Sequence, residues 1–273
     1  MTVAIARPGY RDFETETANK LFARLAPHIP ATPVEEPRPI SSKEELENFA
    51  QYLIAGAAHD SYIVQVSAYA IANLIPDDLH LQLFLSRQLG DDGAHAQYSR
   101  DRVKTILGYD PINEIKRQVQ EHWSFIGDLS TRSLLGFLAY EFHYELHIVA
   151  TLLINRRLTK INDPETSKFG AERILPDETE HRIGVIDWWR NNYGNVSPSQ
   201  KSELIEQIIE LDNEGQRRRN AYLKNYWEIN QVALGIGEVK ELPIIYDAWR
   251  QEILSYVLDI PVAQLPKLVS VND

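Results

Sequence analysis

From residue 41 onward the chain repeats one pattern: apolar positions return every three or four residues, with charged and amide side chains between them. That period is helical. The stretch SSKEELENF, with acids just after two serines, reads as a helix start, and the pattern then runs over residues 44 to 73. LIPDD (74 to 78) turns the chain into a second helix that reaches about residue 107 and stops at GYDP. A connection of some twenty residues follows, itself partly helical (EIKRQVQEHW). A third helix is predicted from about 130 to 158, INDPE turns it back, and a fourth stretch runs to about 192 with a start or kink at Pro176. Further helices are expected over 198 to 230 and 242 to 258. Strand-type alternation is nowhere sustained, so the expected class is all-α. Residues 1–40 read as an arm with one helix near 12 to 26 and a proline-rich stretch after it. Residues 41–192 read as a four-helix bundle of two antiparallel hairpins joined by a crossover, and 193–273 as a helical extension packing on it.

Composition narrows the chemistry. No apolar run approaches the roughly 18 residues of a membrane span, and the first residues lack the basic start and apolar run of a signal peptide, so a cytoplasmic protein is expected. The net charge of −11 argues against nucleic acid or an anionic membrane as partner. The one dense basic run, QRRR at 216 to 219, reads as a solvated helix face, with an anion contact as the alternative. Cysteine is absent, which excludes disulfides, thiolate zinc sites and cysteine-ligated iron–sulfur clusters. No glycine-rich phosphate loop is present either. Any metal must be held by His, Asp and Glu, a donor set that suits iron and manganese.

Two segments share such a donor pattern: Asp91-Asp92-Gly93-Ala94-His95 and Asp177-Glu178-Thr179-Glu180-His181. On a helix, i and i+3 lie on one face, so the acid and the imidazole can bind one metal together. With 8 His and 39 acids, about one acid-x-x-His is expected by chance, and Asp77 to His80 serves for that one. Requiring an Asp just before the acid makes chance copies rare, yet two occur.

Hairpin geometry adds two more carboxylates. Asp92 lies 16 residues after Pro76, and 16 before Pro76 is Asp60. The second turn centres near 161 and 162, so Glu178 should face residue 145, which is Glu145. Each span is about 24 Å of helix. Asp60 shares its face with Leu53, Ala57 and Val64, and Glu145 with Leu138, Phe142 and Leu152. A carboxylate in such company is costly to bury unless it is paired or holds a metal. The candidate ligands are therefore Asp60, Asp92, His95, Glu145, Glu178 and His181.

This arrangement resembles the ferritin-like di-iron carboxylate proteins, over roughly residues 44 to 190, and in particular their oxygen-activating branch, which often carries Asp-Glu-x-x-His. The resemblance implies two iron ions, with Mn/Fe or two Mn as alternatives, and gives Asp91 and Asp177 the task of orienting ligating histidines. The chain departs from the family at Asp60 and Asp92, where Glu is usual. The haem-oxygenase-like di-iron oxidases fit less well, because Arg173 stands where their pattern needs His.

Other residues have plainer readings. His59 is expected to be a buried, hydrogen-bonded histidine rather than a ligand, and His143 and His147 to serve packing or the surface. Glu141, one turn from Glu145, competes with it as ligand or serves as an extra ligand or proton relay. Tyr140, Phe142, Tyr144, Trp188 and Trp189 read as core, and His80 and His122 as surface. The function expected is an oxygenase or oxidase (monooxygenase-like) that uses O2 on a small organic substrate by hydroxylation, N-oxygenation, desaturation or oxidative cleavage. Electrons would come from an external donor or the substrate, and a homodimer is one arrangement open to it. The alternatives are a ferroxidase or iron-storage protein, a dimanganese catalase, or a non-catalytic helical interaction module.

Overall fold

The computed structural model describes residues 9–33, 36–194 and 196–273. It is built almost wholly of helices: α1 (Tyr10–Leu25), α2 (Lys43–Asn73), α3 (Leu79–Leu107), α4 (Ile112–Ile126), α5 (Leu134–Glu141), α6 (Val149–Leu158), α7 (Pro164–Phe169), α8 (Leu175–Tyr193), α9 (Pro198–Ala233) and α10 (Leu242–Leu258). Two π-helical segments interrupt this series. Phe142–His147 joins α5 to α6, and Gly170–Ile174 joins α7 to α8. The third and fourth predicted helices are thus continuous rods, each with a wider turn inside it. Pro176 lies inside the fourth rod, just after the π segment and at the start of α8, rather than at a free helix end.

The helix ends follow their chemistry. Ser42 caps α2 by accepting from the Glu45 N–H at 3.1 Å, and Asp78 caps α3 through the Leu81 N–H at 2.9 Å. Gly108 closes α3 at φ 75°, a left-handed conformation that glycine adopts without strain. α2 and α3 pack along their length as an antiparallel hairpin, and α8 lies against α3 and the first π segment. Two short parallel strands, β1 (Arg38–Pro39) and β2 (Ile161–Asn162), tie the proline-rich stretch to the turn before α7.

The expected arm is part of the body. The α1 side chains Leu21 and Phe22 are buried in the main core, Phe13 stacks on Tyr256 of α10 at 4.1 Å, and Glu14 pairs with Arg182 of α8 at 3.0 Å. Residues 1–8, 34 and 35 of that arm lie outside the described residues. α9 and α10 are equally embedded: Trp249, Ile253 and Leu254 are completely buried and α9 packs on both α5 and α2. Two surface expectations are overturned. The QRRR run is not a solvated face, because Gln216 and Arg219 are fully buried, Arg218 binds the Ile126 carbonyl, and Arg217 alone of the four is exposed. His122 is buried as well, stacked on Tyr62 at 5.0 Å and bonded to the Tyr144 hydroxyl at 2.7 Å. No described helix is long and apolar enough to cross a membrane.

Candidate metal centre

Four rods deliver carboxylates and imidazoles to one buried volume. α3 supplies Asp92 and His95, the π segment Glu145, α8 Glu178 and His181, and α2 approaches with Asp60. Two compact groups form, Asp92–His95–Glu178 and Asp92–Glu145–His181. Their ligand atoms lie at coordinating distances from one another. His95 Nδ1 is 3.6 Å from Glu178 Oε1 and 3.9 Å from Asp92 Oδ1. His181 Nδ1 is 3.8 Å from the same Asp92 oxygen, 3.9 Å from Glu145 Oε2 and 4.0 Å from Glu178 Oε2. Two atoms bound to one first-row ion at roughly 2.0–2.2 Å can be at most about 4.4 Å apart, and these spacings fit. Asp92 belongs to both groups, and Glu178, a member of the first, also faces the histidine of the second.

The imidazoles are held from behind, and the supports cross between helices. His95 Nε2, on α3, donates to Asp177 of α8 at 3.2 Å; His181 Nε2, on α8, donates to Asp91 of α3 at 3.4 Å. With Nε2 committed to these supports, each Nδ1 faces the interior. His95 Nδ1, His181 Nδ1, both Asp92 oxygens, Glu145 Oε2 and Glu141 Oε1 are all buried without a hydrogen-bond partner. Buried polar atoms are rarely left so, and this is a donor set that could hold cations.

Electrostatics say the same. Burial first, then the neighbouring charges of Glu178, Asp60 and Glu141, pushes the Asp92 carboxyl well above its ordinary range. Burial, Glu178 and Asp92 do so for Glu145. Burial raises Glu141 to about 8 against an opposing hydrogen bond from Gln88. Glu178 goes the other way: burial works to raise it, but the nearby His95 ring and the charges of His181 and Arg182 bring it to about 2. His95 mirrors this, burial being outweighed by Glu178, Asp60 and Asp177 to give about 9. Protons thus offset a negative charge that two divalent ions would balance.

Asp60 stands outside both compact groups. It is close enough for its charge to act on Asp92 and His95, and burial raises its own carboxyl. One of its oxygens takes a hydrogen bond from His59 Nδ1 at 3.2 Å, and His59 in turn stacks on Tyr144 at 4.8 Å. His59 is therefore a half-buried, bonded residue behind Asp60. Tyr140, Phe142, Tyr144, Trp188 and Trp189 are core, as expected, and His80 is exposed.

Sequence reasoning missed Gln88. It is completely buried, and its Nε2 donates to Glu141 Oε2 at 3.1 Å and Glu145 Oε1 at 2.9 Å, holding both carboxylates on one face. Its position four residues before Asp92 and seven before His95 was the available signal. His143 and His147 are buried rather than at the surface and form a third group with Asp212. There Arg250 and His147 occupy the carboxylate and both Nε2 atoms are bonded, while the two Nδ1 atoms have no hydrogen-bond partner. A cavity of about 260 Å³ between α3 and α8 is lined by Phe84, Gln88, His181 and Gly184 among others, and takes no residue from α9 or α10. In comparisons with protein-family models, curated proteins and solved structures, the chain matches none.

Proposed function

We propose that this chain is a ferritin-like, oxygen-activating di-iron carboxylate oxidoreductase acting on a small organic substrate. The observation that carries the reading is the set of buried, unpartnered ligand atoms with crossed Asp–His supports behind them. Asp92, His95 and Glu178 would hold one ion and Asp92, Glu145 and His181 the other, with Asp60 completing the set. Bound there, two ferrous ions would supply the electrons and Lewis acidity that dioxygen chemistry needs. The absence of cysteine and of a nucleotide loop leaves further electrons to a separate donor or to the substrate.

The chain's own residues prepare that chemistry. Asp91 and Asp177 fix the imidazole tautomer, so that Nδ1 is the atom offered. Gln88 takes one oxygen of Glu141, which leaves Oε1 to hold the proton that its raised carboxyl keeps near neutral pH. Core residues Leu138, Phe142 and Val149 exclude bulk water from the same helix. The α3–α8 cavity offers a small substrate a place beside Gln88 and His181.

The test is metal analysis after ferrous reconstitution, followed by O2 consumption across classes of alcohols, amines, alkenes and acids. Two irons per chain and substrate-dependent uptake are expected. Iron near zero, or zinc at one per chain under all conditions, overturns the reading. Large shells on gel filtration would identify a ferroxidase instead, and oxygen release from peroxide without reductant a catalase.

A further inference from the structure

The wide turn at residues 142–147 is bound from outside by the C-terminal helices. A π turn closes a larger ring than an α turn, so main-chain carbonyls drop out of the regular ladder and must find donors elsewhere or stay buried and unpaired. Two carbonyls of this segment accept from side chains of the last two long helices. The His143 carbonyl accepts from Arg219 Nη1 at 2.7 Å, and the Leu146 carbonyl from Trp249 Nε1 at 2.9 Å. The segment's own imidazoles reach the same wall. His143 Nε2 donates to the Asp212 main-chain carbonyl and His147 Nε2 to Asp212 Oδ1, each at 2.8 Å. Arg250 fixes the other Asp212 oxygen through two N–H groups, and donates a further bond to the Val269 carbonyl.

Three features single these contacts out from ordinary packing. Asp212, Arg219, Trp249 and Arg250 are all 1% exposed or less, in a molecule where buried charge is costly. Arg219 pairs with no acid among the described residues; its guanidinium serves the His143 carbonyl and the face of Tyr144, 4.2 Å away, both within the π segment. α9 can come this close only because Gly215 lacks a side chain, since a Cβ there would lie 2.7 Å from the His143 ring.

We propose that Arg219 and Trp249, with Asp212 behind the two histidines, are positioning residues of the metal centre. They keep residues 142–147 in the wide-turn form, and that form aims Glu145 and Glu141 at Gln88 and His181. Return to a regular α-helix would remove one residue's advance, about 100° of rotation, between the two ends of the rod. Glu145 would then leave the face it shares with Gln88. This inference rests on the metal-centre reading above, and it makes an asymmetric demand: Glu145 belongs to one of the two groups only, so loosening the brace should weaken one metal and spare the other.

Trp249→Phe keeps the ring in the core and removes one N–H; Arg219→Met keeps the length and removes another. Anaerobic titration with cobalt(II), followed by its visible absorption, reads the two sites separately. The wild-type chain should take two cobalt ions. Each variant should keep one at unchanged affinity and bind the second about 10- to 100-fold more weakly, as for other supports behind a metal ligand. Hydrogen exchange in the metal-free protein reads the brace without any ion, and amides of residues 142–148 should exchange faster in both variants while α2 and α3 are unchanged. Two cobalt ions at wild-type affinity in both variants overturn the proposal. So does equal weakening of both sites with a lower melting temperature, which marks plain packing, and so does unaltered exchange. A wild-type chain that takes up no cobalt overturns the metal reading itself, while the exchange result still judges the brace.

Discussion

Asp92 is costly to bury as an ion, with both oxygens buried, no donor on either, and acids on three neighbouring rods. Such a residue is tolerable as a ligand and a liability otherwise. The histidine supports give a sharper expectation. Asp91→Asn should weaken the ion at His181, and Asp177→Asn the ion at His95, each by about 10- to 100-fold, measured by competition with a chelator of known affinity. Equal effects on both sites would show that the crossed pairing is wrong. Asp60→Ala should lose one metal and abolish O2 consumption, while the melting temperature of the metal-free chain holds or rises, because a buried carboxylate has gone. Glu47→Ala, in the first turns of the same helix, is the control and should leave both unchanged. Two retained irons with normal turnover in Asp60→Ala would exclude Asp60 as a ligand. The two acid-x-x-His motifs, their preceding aspartates and Glu145 were legible because spacing on a helix carries that information. Gln88 and the buried Arg219 were not, since an amide or a guanidinium looks the same in sequence whether solvated or enclosed.

At the level of the elements, hydrophobic period and turn residues located α2, α3 and the C-terminal helices to within a few positions. The π segments left no local mark. For residues 142–147 the proposed brace puts the cause in tertiary contacts, in the donors that α9 and α10 bring to the His143 and Leu146 carbonyls. His122 was misread for the same reason: its own stretch is polar, and its burial depends on Tyr62 and Tyr144 arriving from elsewhere. Helix spacing offers a further test. A Cβ on Gly184 would meet the Phe84 ring at 2.0 Å, so α8 approaches α3 this closely only through a glycine. Gly184→Ala should cost about 1–3 kcal/mol in denaturant melts, and should lower metal affinity too, because His181 and Asp91 would be pried apart. Unchanged affinity would show that the centre tolerates displacement of α8.

For the whole molecule, the raised groups set a pH dependence of known sign. Glu141 moves from an ordinary 4.5 to about 8 on folding, and His95 from 6.5 to about 9. Both bind protons more tightly in the folded chain, so the stability they confer is complete at low pH and is lost as pH rises through those values. Burial lowers His122, His143 and His147, which oppose this below about pH 7, so the metal-free melting temperature should fall from pH 7 to 8. Glu178, lowered to about 2, gives up its share only below that window. Divalent metal should reverse the trend, adding about 2.7 kcal/mol at a free concentration of 100 Kd; a metal-free melting temperature unchanged from pH 7 to 8 would contradict these protonation states. The crossed histidine supports have one more consequence, in the order of events during maturation. His95 and Asp177 are 82 residues apart in the chain, and His181 and Asp91 are 90 apart. Neither hairpin made alone offers a finished imidazole, so no nascent half can capture an ion and template the rest. These two long loops would have to close unaided, and a metal would arrive at a protein that has already folded.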